Sequence, residues 1–267
     1  SGHVPKLLGR GRDPRGRPFM VFEFAEGRPL SEWIAERGRL PLNLALEIAI
    51  QMSRALIAAH AAGVVHRDLK PDNVIVGGDP EEPSVRVLDF SVSKSEDLQF
   101  TQTGTVIGTP CYMPPEQARG DAVDNLVDIY AIGAILYDMV CARPPYEWDE
   151  PGRVLAKLLT EPPPRPRALA PLVPESLEAI ILRATARDPK ERYPIAEALL
   201  EALERGIMSA LAEPDAPGIL PFGAAEVVAS AVATVTWPRS STGIASARSR
   251  GGPGGWSSPG IWWTSSA

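Results

Sequence analysis

Residues 64–76 of the chain read VVHRDLKPDNVIV. The stretch sets a basic residue, two carboxylates, a lysine and an amide within eight positions, between two short runs of β-branched apolar residues. Such runs are typical of buried strands, which would pin the polar loop between them to a rigid scaffold. The pattern favours a loop that carries chemistry, and the alternative is a polar turn between two buried strands.

Composition sets outer bounds on the class of protein. The chain has 267 residues, 44% of them hydrophobic, and a net charge of −6. This length suits one sizeable core, and the negative charge provides no overall basic surface for nucleic acid. Two cysteines, Cys111 and Cys141, are too few for a disulfide framework and favour a cytoplasmic setting. We find no signal peptide and no apolar run of about 20 residues that would span a membrane.

Hydrophobic periodicity predicts one strand near the start and mostly helices after it. Phe19–Phe24 is a short aromatic and β-branched run, and Val74–Val76 and Val85–Leu88 read as a strand pair separated by the turn-forming GGDPEEPS. Apolar spacing predicts helices over Leu30–Glu36, Pro41–Ala62, Asn125–Ala142, Gly152–Thr160, Pro174–Ala186 and Pro194–Arg205. The helix over Asn125–Ala142 is apolar nearly all round and should lie in the middle of the domain.

The C-terminal part of the chain has a different composition. Residues 237–267 are rich in Ser, Gly, Pro, Arg and Trp and show no apolar period. Segments of this kind cannot bury enough surface to offset the entropy cost of ordering. We therefore predict a low-complexity, disordered tail over residues 206–267; a misread frame in a GC-rich gene would produce the same composition.

The motif His66–Asn73, HRDLKPDN, matches the catalytic-loop pattern H-R-D-L-x-x-x-N. The chain accordingly resembles the eukaryotic-type serine/threonine protein kinases found in bacteria. The resemblance implies that Asp68 is the base that orients the attacking hydroxyl and accepts its proton. It implies that Lys70 is the cation beside the transferring phosphoryl group and that Asn73 is a ligand of Mg²⁺.

Two further motifs support the resemblance. Leu88-Asp89-Phe90-Ser91 stands where the family has D-F-G, which implies that Asp89 binds Mg²⁺ and that Phe90 packs against His66. Ser91 replaces a glycine and so restricts the backbone there, but it removes no metal ligand.

Residues 108–116, GTPCYMPPE, resemble the segment G-T-P-x-Y-M-A-P-E that closes the kinase activation loop, with Pro114 in place of alanine. The resemblance implies that Thr109 bonds the catalytic aspartate and lysine. It also implies that Glu116 pairs with a buried Arg192 and that Asp128 caps the backbone of the catalytic loop. These roles of Thr109, Glu116, Arg192 and Asp128 are structural.

The segment between Asp89 and Glu116 contains three threonines that are candidate phosphorylation sites, Thr101, Thr103 and Thr105. A phosphate there would add nearly two negative charges, which Arg67 could pair with bidentately and so order the loop. The alternative is that these threonines form a plain polar loop.

Residues 22–25, FEFA, resemble the hinge between kinase lobes. The resemblance implies that the backbones of Glu23 and Ala25 bind the adenine of ATP, that Ile75 forms the apolar floor and that Lys70 contacts the phosphates. It implies ATP and Mg²⁺ as cofactors and a protein with a Ser or Thr hydroxyl as substrate.

The expected fold is α+β and protein-kinase-like. Remnant N-lobe strands and the hinge would occupy residues 1–25, the α-helical C-lobe residues 26–205, and the tail the remainder. The sequence shows no Gly-rich loop and no V-A-I-K lysine before the hinge, so we expect a fragment that lacks most of the N-lobe and has little activity alone. A pseudokinase, or a binding module that uses the helical lobe as a scaffold, is the alternative.

Overall fold

The computed structural model describes residues 2–90, 110–146 and 151–212. Its strands are β1 Leu7–Arg12, β2 Pro18–Phe22, β3 Arg28–Pro29, β4 Val74–Asp79 and β5 Glu82–Val87. Its helices are α1 Leu30–Arg37, α2 Leu42–Ala61, α3 Pro115–Arg119, α4 Leu126–Cys141, α5 Pro151–Thr160, α6 Pro166–Leu169, α7 Glu175–Ala184 and α8 Ala196–Ala212. Short 3₁₀ turns cover Pro71–Asn73, Pro110–Tyr112 and Pro189–Glu191. The few strands and many helices confirm the α+β class.

The described residues fall into two compact units. The smaller one contains residues 7–23, which form the antiparallel hairpin of β1 and β2. The larger one contains residues 2–6 and everything described from Phe24 onward. Residues 2–6 thus group with the larger unit. The reason is that the edge of β5 binds them: Val87 N–H donates to the carbonyl of His3 at 2.9 Å, and the His3 ring bonds the carbonyl of Val85 at 3.2 Å.

The core of the larger unit is built around α2 and α4, which contact each other. Every α4 residue from Val127 to Cys141 is buried, as its uniformly apolar sequence predicts. Gly133 allows α7 to approach closely, because a Cβ there would lie 2.6 Å from the Cβ of Ala184. The middle of the domain is thus a rigid helical scaffold.

The second sheet has the order β3-β4-β5 and is antiparallel. The strand pair is longer than predicted, because GGDPEEPS mostly continues the strands and only Pro80 and Glu81 form the turn. Gly77 lies within β4, where the backbone of Glu26 comes close: a Cβ on Gly77 would lie 2.5 Å from the Glu26 carbonyl oxygen. The glycines that suggested a turn instead permit close backbone contact.

The predicted helices agree with α1, α2, α4, α5 and α7 to within two residues at each end, and with the start of α8. Helix α8 continues past the boundary predicted at residue 206, and residues 213–267 lie outside the described residues.

The expectation that no segment is long and apolar enough to cross a membrane is wrong for α2, whose length and composition alone would allow it to span one. However, 67% of its apolar window is buried, against α4, α8 and β5, which is the environment of a core helix.

Candidate active site

One buried carboxylate at the start of α4 fixes the backbone of the HRD loop. Asp128 is fully buried; its Oδ2 accepts the His66 N–H at 2.8 Å and its Oδ1 accepts the Arg67 N–H at 2.9 Å. The capping contact implied by the family resemblance is therefore present. Asp128 Oδ2 also lies 2.8 Å from Nε2 of His60, which is on α2. The sequence does not predict this contact, because the two residues are 68 positions apart.

The polar side chains of the loop converge as it leaves Asp128. Lys70 Nζ donates to Asp68 Oδ2 at 3.3 Å, and Asn73 Nδ2 donates to the Asp68 carbonyl at 2.8 Å. The Asp68 side chain is 45% exposed, so a substrate hydroxyl can reach it. Asn73 is buried and fixes the loop at its far end. Asp68, Lys70 and Asn73 thus form one cluster with a reachable carboxylate and a cation beside it.

The segment around Asp89 runs beside this cluster. Leu88 N–H donates to the Asn73 carbonyl at 2.8 Å, and the Leu88 carbonyl lies 2.7 Å from His66 Nε2. The Phe90 ring packs edge-on against His66 with 4.8 Å between ring centroids, as the sequence suggested. Asp89 itself is exposed and has φ of +56°, a left-handed conformation that Asp tolerates better than most residues.

The donor atoms of this site suit a hard divalent cation. The Asn73 amide donates through Nδ2, which leaves its oxygen Oδ1 as the atom that can bind a metal. The Asp89 carboxylate is the other oxygen donor that the sequence predicted as a ligand, and oxygen is the donor atom that Mg²⁺ prefers. Within the described residues, no three His, Cys, Asp or Glu side chains cluster closely enough to hold a metal.

A buried ion pair anchors α3 below the loop. Arg192 Nη1 and Nη2 donate to Glu116 Oε1 and Oε2 at 2.6 and 2.8 Å, with 2% of Arg192 and 6% of Glu116 exposed. Arg192 also donates to the carbonyls of Ala186 and Leu126. The pair that the sequence suggested is present, and it joins α3 to the start of α4 and to the end of α7.

Sequence reasoning missed two further contacts near the loop. Tyr112 donates its hydroxyl to Asp138 Oδ2 at 2.6 Å in the core, and burial raises the pKa of Asp138 to about 6. Burial, reinforced by the Asp138 charge, raises the Tyr112 pKa well above its usual range, so the phenol remains a donor. The other contact joins Gln117 to the carbonyl of Arg67 at 2.7 Å. Neither pairing has a local sequence signal.

The remaining predicted residues are placed as follows. Ile75 is buried on β4, paired with Pro29 and Arg86. Ala25 belongs to the larger unit and Glu23 to the smaller one. Thr101, Thr103, Thr105 and Thr109, together with Ser91, lie outside the described residues.

Comparisons with known proteins all indicate the same family. The family model described as "Protein kinase domain" matches residues 11–202. The serine/threonine-protein kinase Pkn1 of Myxococcus xanthus is 40% identical over 200 residues, covering 74% of this chain and 28% of that relative. PknB of Mycobacterium leprae is 34% identical over 205 residues, covering 76% and 32% respectively. The chain thus spans about a third of the length of these curated relatives.

Solved structures share the fold. A structure of Rad53 in complex with AMP-PNP is similar with a TM-score of 0.60 at 24% identity, over 76% of this chain and 50% of that one. The PknI kinase domain of Mycobacterium tuberculosis is similar with a TM-score of 0.58 at 22% identity, over 78% and 72%. At these identities the likeness shows a protein-kinase-like fold.

Proposed function

This chain belongs to the protein kinase domain family, and we propose that it is catalytic-domain sequence of a serine/threonine protein kinase. In the full-length protein the domain transfers the γ-phosphoryl group of ATP to a Ser or Thr hydroxyl of a protein substrate. The observation that carries the proposal is the cluster of Asp68, Lys70 and Asn73, held against the Leu88–Phe90 segment. A reachable carboxylate, an adjacent cation and two oxygen ligands are the groups that phosphoryl transfer needs.

Asp68 orients the substrate hydroxyl and accepts its proton as the oxygen forms a bond to the γ-phosphorus and the bond to the leaving ADP breaks. Lys70, 3.3 Å from Asp68 Oδ2, offers positive charge to the transferring phosphoryl oxygens. Asn73 Oδ1 and the Asp89 carboxylate would hold Mg²⁺, which when bound neutralises phosphate charge. The His66–Phe90 contact and the Asp128 hydrogen bonds keep these groups in register.

Nucleotide binding and regulation are proposed on the family resemblance. The resemblance assigns adenine binding to the backbones of Glu23 and Ala25 and the apolar floor to Ile75, which is buried on β4. A phosphate on Thr101, Thr103 or Thr105 would regulate the site by pairing with Arg67, and the resemblance implies that Thr109 bonds the catalytic aspartate and lysine. The kinase domain works in the cytoplasm.

We also propose that the 267-residue polypeptide has little activity by itself. It contains five lysines, Lys6, Lys70, Lys94, Lys157 and Lys190, and none stands in a V-A-I-K context before the hinge segment. A kinase needs that lysine and a Gly-rich loop to hold the phosphates. The second candidate, a pseudokinase or scaffold module, is favoured by Ser91 and Pro114, which depart from the family motifs.

The test of activity compares wild type with Asp68→Asn, using labelled ATP, Mg²⁺ and a generic basic protein. The purified 267-residue chain should give no turnover above the variant. The longest in-frame polypeptide that includes this chain should label Ser or Thr, as phosphoamino-acid analysis would show, and lose that activity with Asp68→Asn. Upstream DNA that encodes G-x-G-x-x-G and V-A-x-K, combined with no Asp68-dependent labelling of the longer product, would contradict the kinase proposal and favour the scaffold.

A further inference from the structure

A conformationally restricted residue stands directly before the proposed catalytic base. Arg67 has φ of +65°, a left-handed conformation that residues with a Cβ seldom adopt because the Cβ crowds the following carbonyl oxygen. Asp128 holds the N–H of Arg67 at 2.9 Å. The carbonyl of Arg67 belongs to the next peptide, which leads into Asp68, so Asp128 does not fix that side.

Gln117 holds the peptide between Arg67 and Asp68. Its Nε2 donates to the Arg67 carbonyl oxygen at 2.7 Å. On the other side of the same peptide, the Asp68 N–H lies 3.3 Å from His66 Nδ1. Rotation of this peptide would swing the Asp68 Cα and move the carboxylate, so the Gln117 bond bears directly on where the base lies.

The helix that carries Gln117 is itself anchored from another direction. Glu116, the preceding residue, makes the buried bidentate pair with Arg192. Helix α3 follows the 3₁₀ turn Pro110–Tyr112, which the Tyr112–Asp138 bond ties to α4. A small shift of α3 would therefore move the catalytic loop through the Gln117 side chain.

We propose that Gln117 is a positioning residue for the catalytic base: it couples α3, at the end of the predicted activation segment, to the orientation of Asp68. The inference rests on the proposed function, since it names how that site is held. Its geometric content, that Gln117 sets the conformation of the Arg67–Asp68 peptide, can be measured without any catalysis.

The experiment uses the purified full chain and three variants. Gln117→Leu keeps the size of the side chain but cannot donate, and Gln117→Lys restores an N–H donor on a flexible stem. Arg119→Ala is the matched control, because Arg119 lies on the same short helix but is exposed and pairs with Asp121. The readouts are the carbonyl ¹³C resonance of Arg67 and the exchange rate of the Asp68 amide, which belongs to the same peptide, relative to amides of the α4 core.

In Gln117→Leu we expect the Arg67 carbonyl resonance to move upfield. We expect the Asp68 amide to exchange about three- to tenfold faster relative to α4, because the peptide that contains it loses one hydrogen bond. Gln117→Lys should return both readouts toward wild type, and Arg119→Ala should leave both unchanged. Exchange within about twofold of wild type in Gln117→Leu, an equal effect in Arg119→Ala, or no recovery in Gln117→Lys would each overturn the proposal. Failure of the kinase proposal would be visible separately, as absent Asp68-dependent labelling with these exchange results intact.

Discussion

Replacing Arg192 by methionine tests how α3 is anchored, because the change removes the charge and keeps most of the side-chain volume. The Glu116 carboxylate, 6% exposed, would lose both hydrogen bonds from the guanidinium, at 2.6 and 2.8 Å. Breaking a buried ion pair on one side costs about 3–5 kcal/mol, since an uncompensated charge remains in the interior. Each kcal/mol lowers the melting temperature by about 2–4 °C in a domain of this size, so we expect a drop of about 6–20 °C.

The assay is thermal and urea unfolding of the purified chain, both followed by the helical circular dichroism signal. Glu116→Gln should also be strongly destabilised, because Arg192 then keeps its charge without a counter-ion. Arg205→Met is the matched control: it breaks a 3.7 Å pair with Glu201 whose side chains are 73% and 69% exposed, and its midpoint should stay within error of wild type. A loss of less than about 1 kcal/mol in Arg192→Met would refute the reasoning, since it would mean that the pair is not held in a low-dielectric interior.

Three other changes test the core around the site, each by unfolding midpoints. Because burial raises the Asp138 pKa from 3.8 to about 6, the folded state binds that proton more tightly than the unfolded chain. The stability that Asp138 contributes when protonated is therefore lost as pH rises from about 4 to about 6. Wild type should lose up to about 3 kcal/mol of unfolding free energy over this range through Asp138, and Asp138→Asn should not show this loss. Tyr112→Phe takes the hydroxyl donor from the same carboxylate, so its cost, about 1–3 kcal/mol, should be larger at pH 7.5 than at pH 5; equal costs would contradict this. Gly133→Ala would place a Cβ 2.6 Å from Ala184 and should cost about 1–3 kcal/mol, whereas Gly152→Ala, with open space around it, should cost nothing.

Much of the fold could be predicted because its signals are local. Helices α2 and α4 begin and end within a residue or two of their predicted bounds. Pro41 before α2 and Gly63 after it mark that helix, and apolar periodicity marks both. The strand pair is longer than its sequence predicts, because Gly77 and Gly78 resemble turn residues, whereas a neighbouring backbone packs where their side chains would be.

The residues of the candidate site can be predicted because Asp68, Lys70 and Asn73 stand within one short motif, whose loop brings them together. The tertiary structure supplies the contacts around that loop, which the sequence does not predict: His60 meets Asp128, Gln117 meets Arg67 and Tyr112 meets Asp138, across 68, 50 and 26 positions. It also decided that residues 2–6 bind the edge of β5. The physical reason is that periodicity and turn chemistry act over a few neighbouring residues, whereas these partners meet only after helices and strands pack, and packing leaves no repeat in the sequence to read.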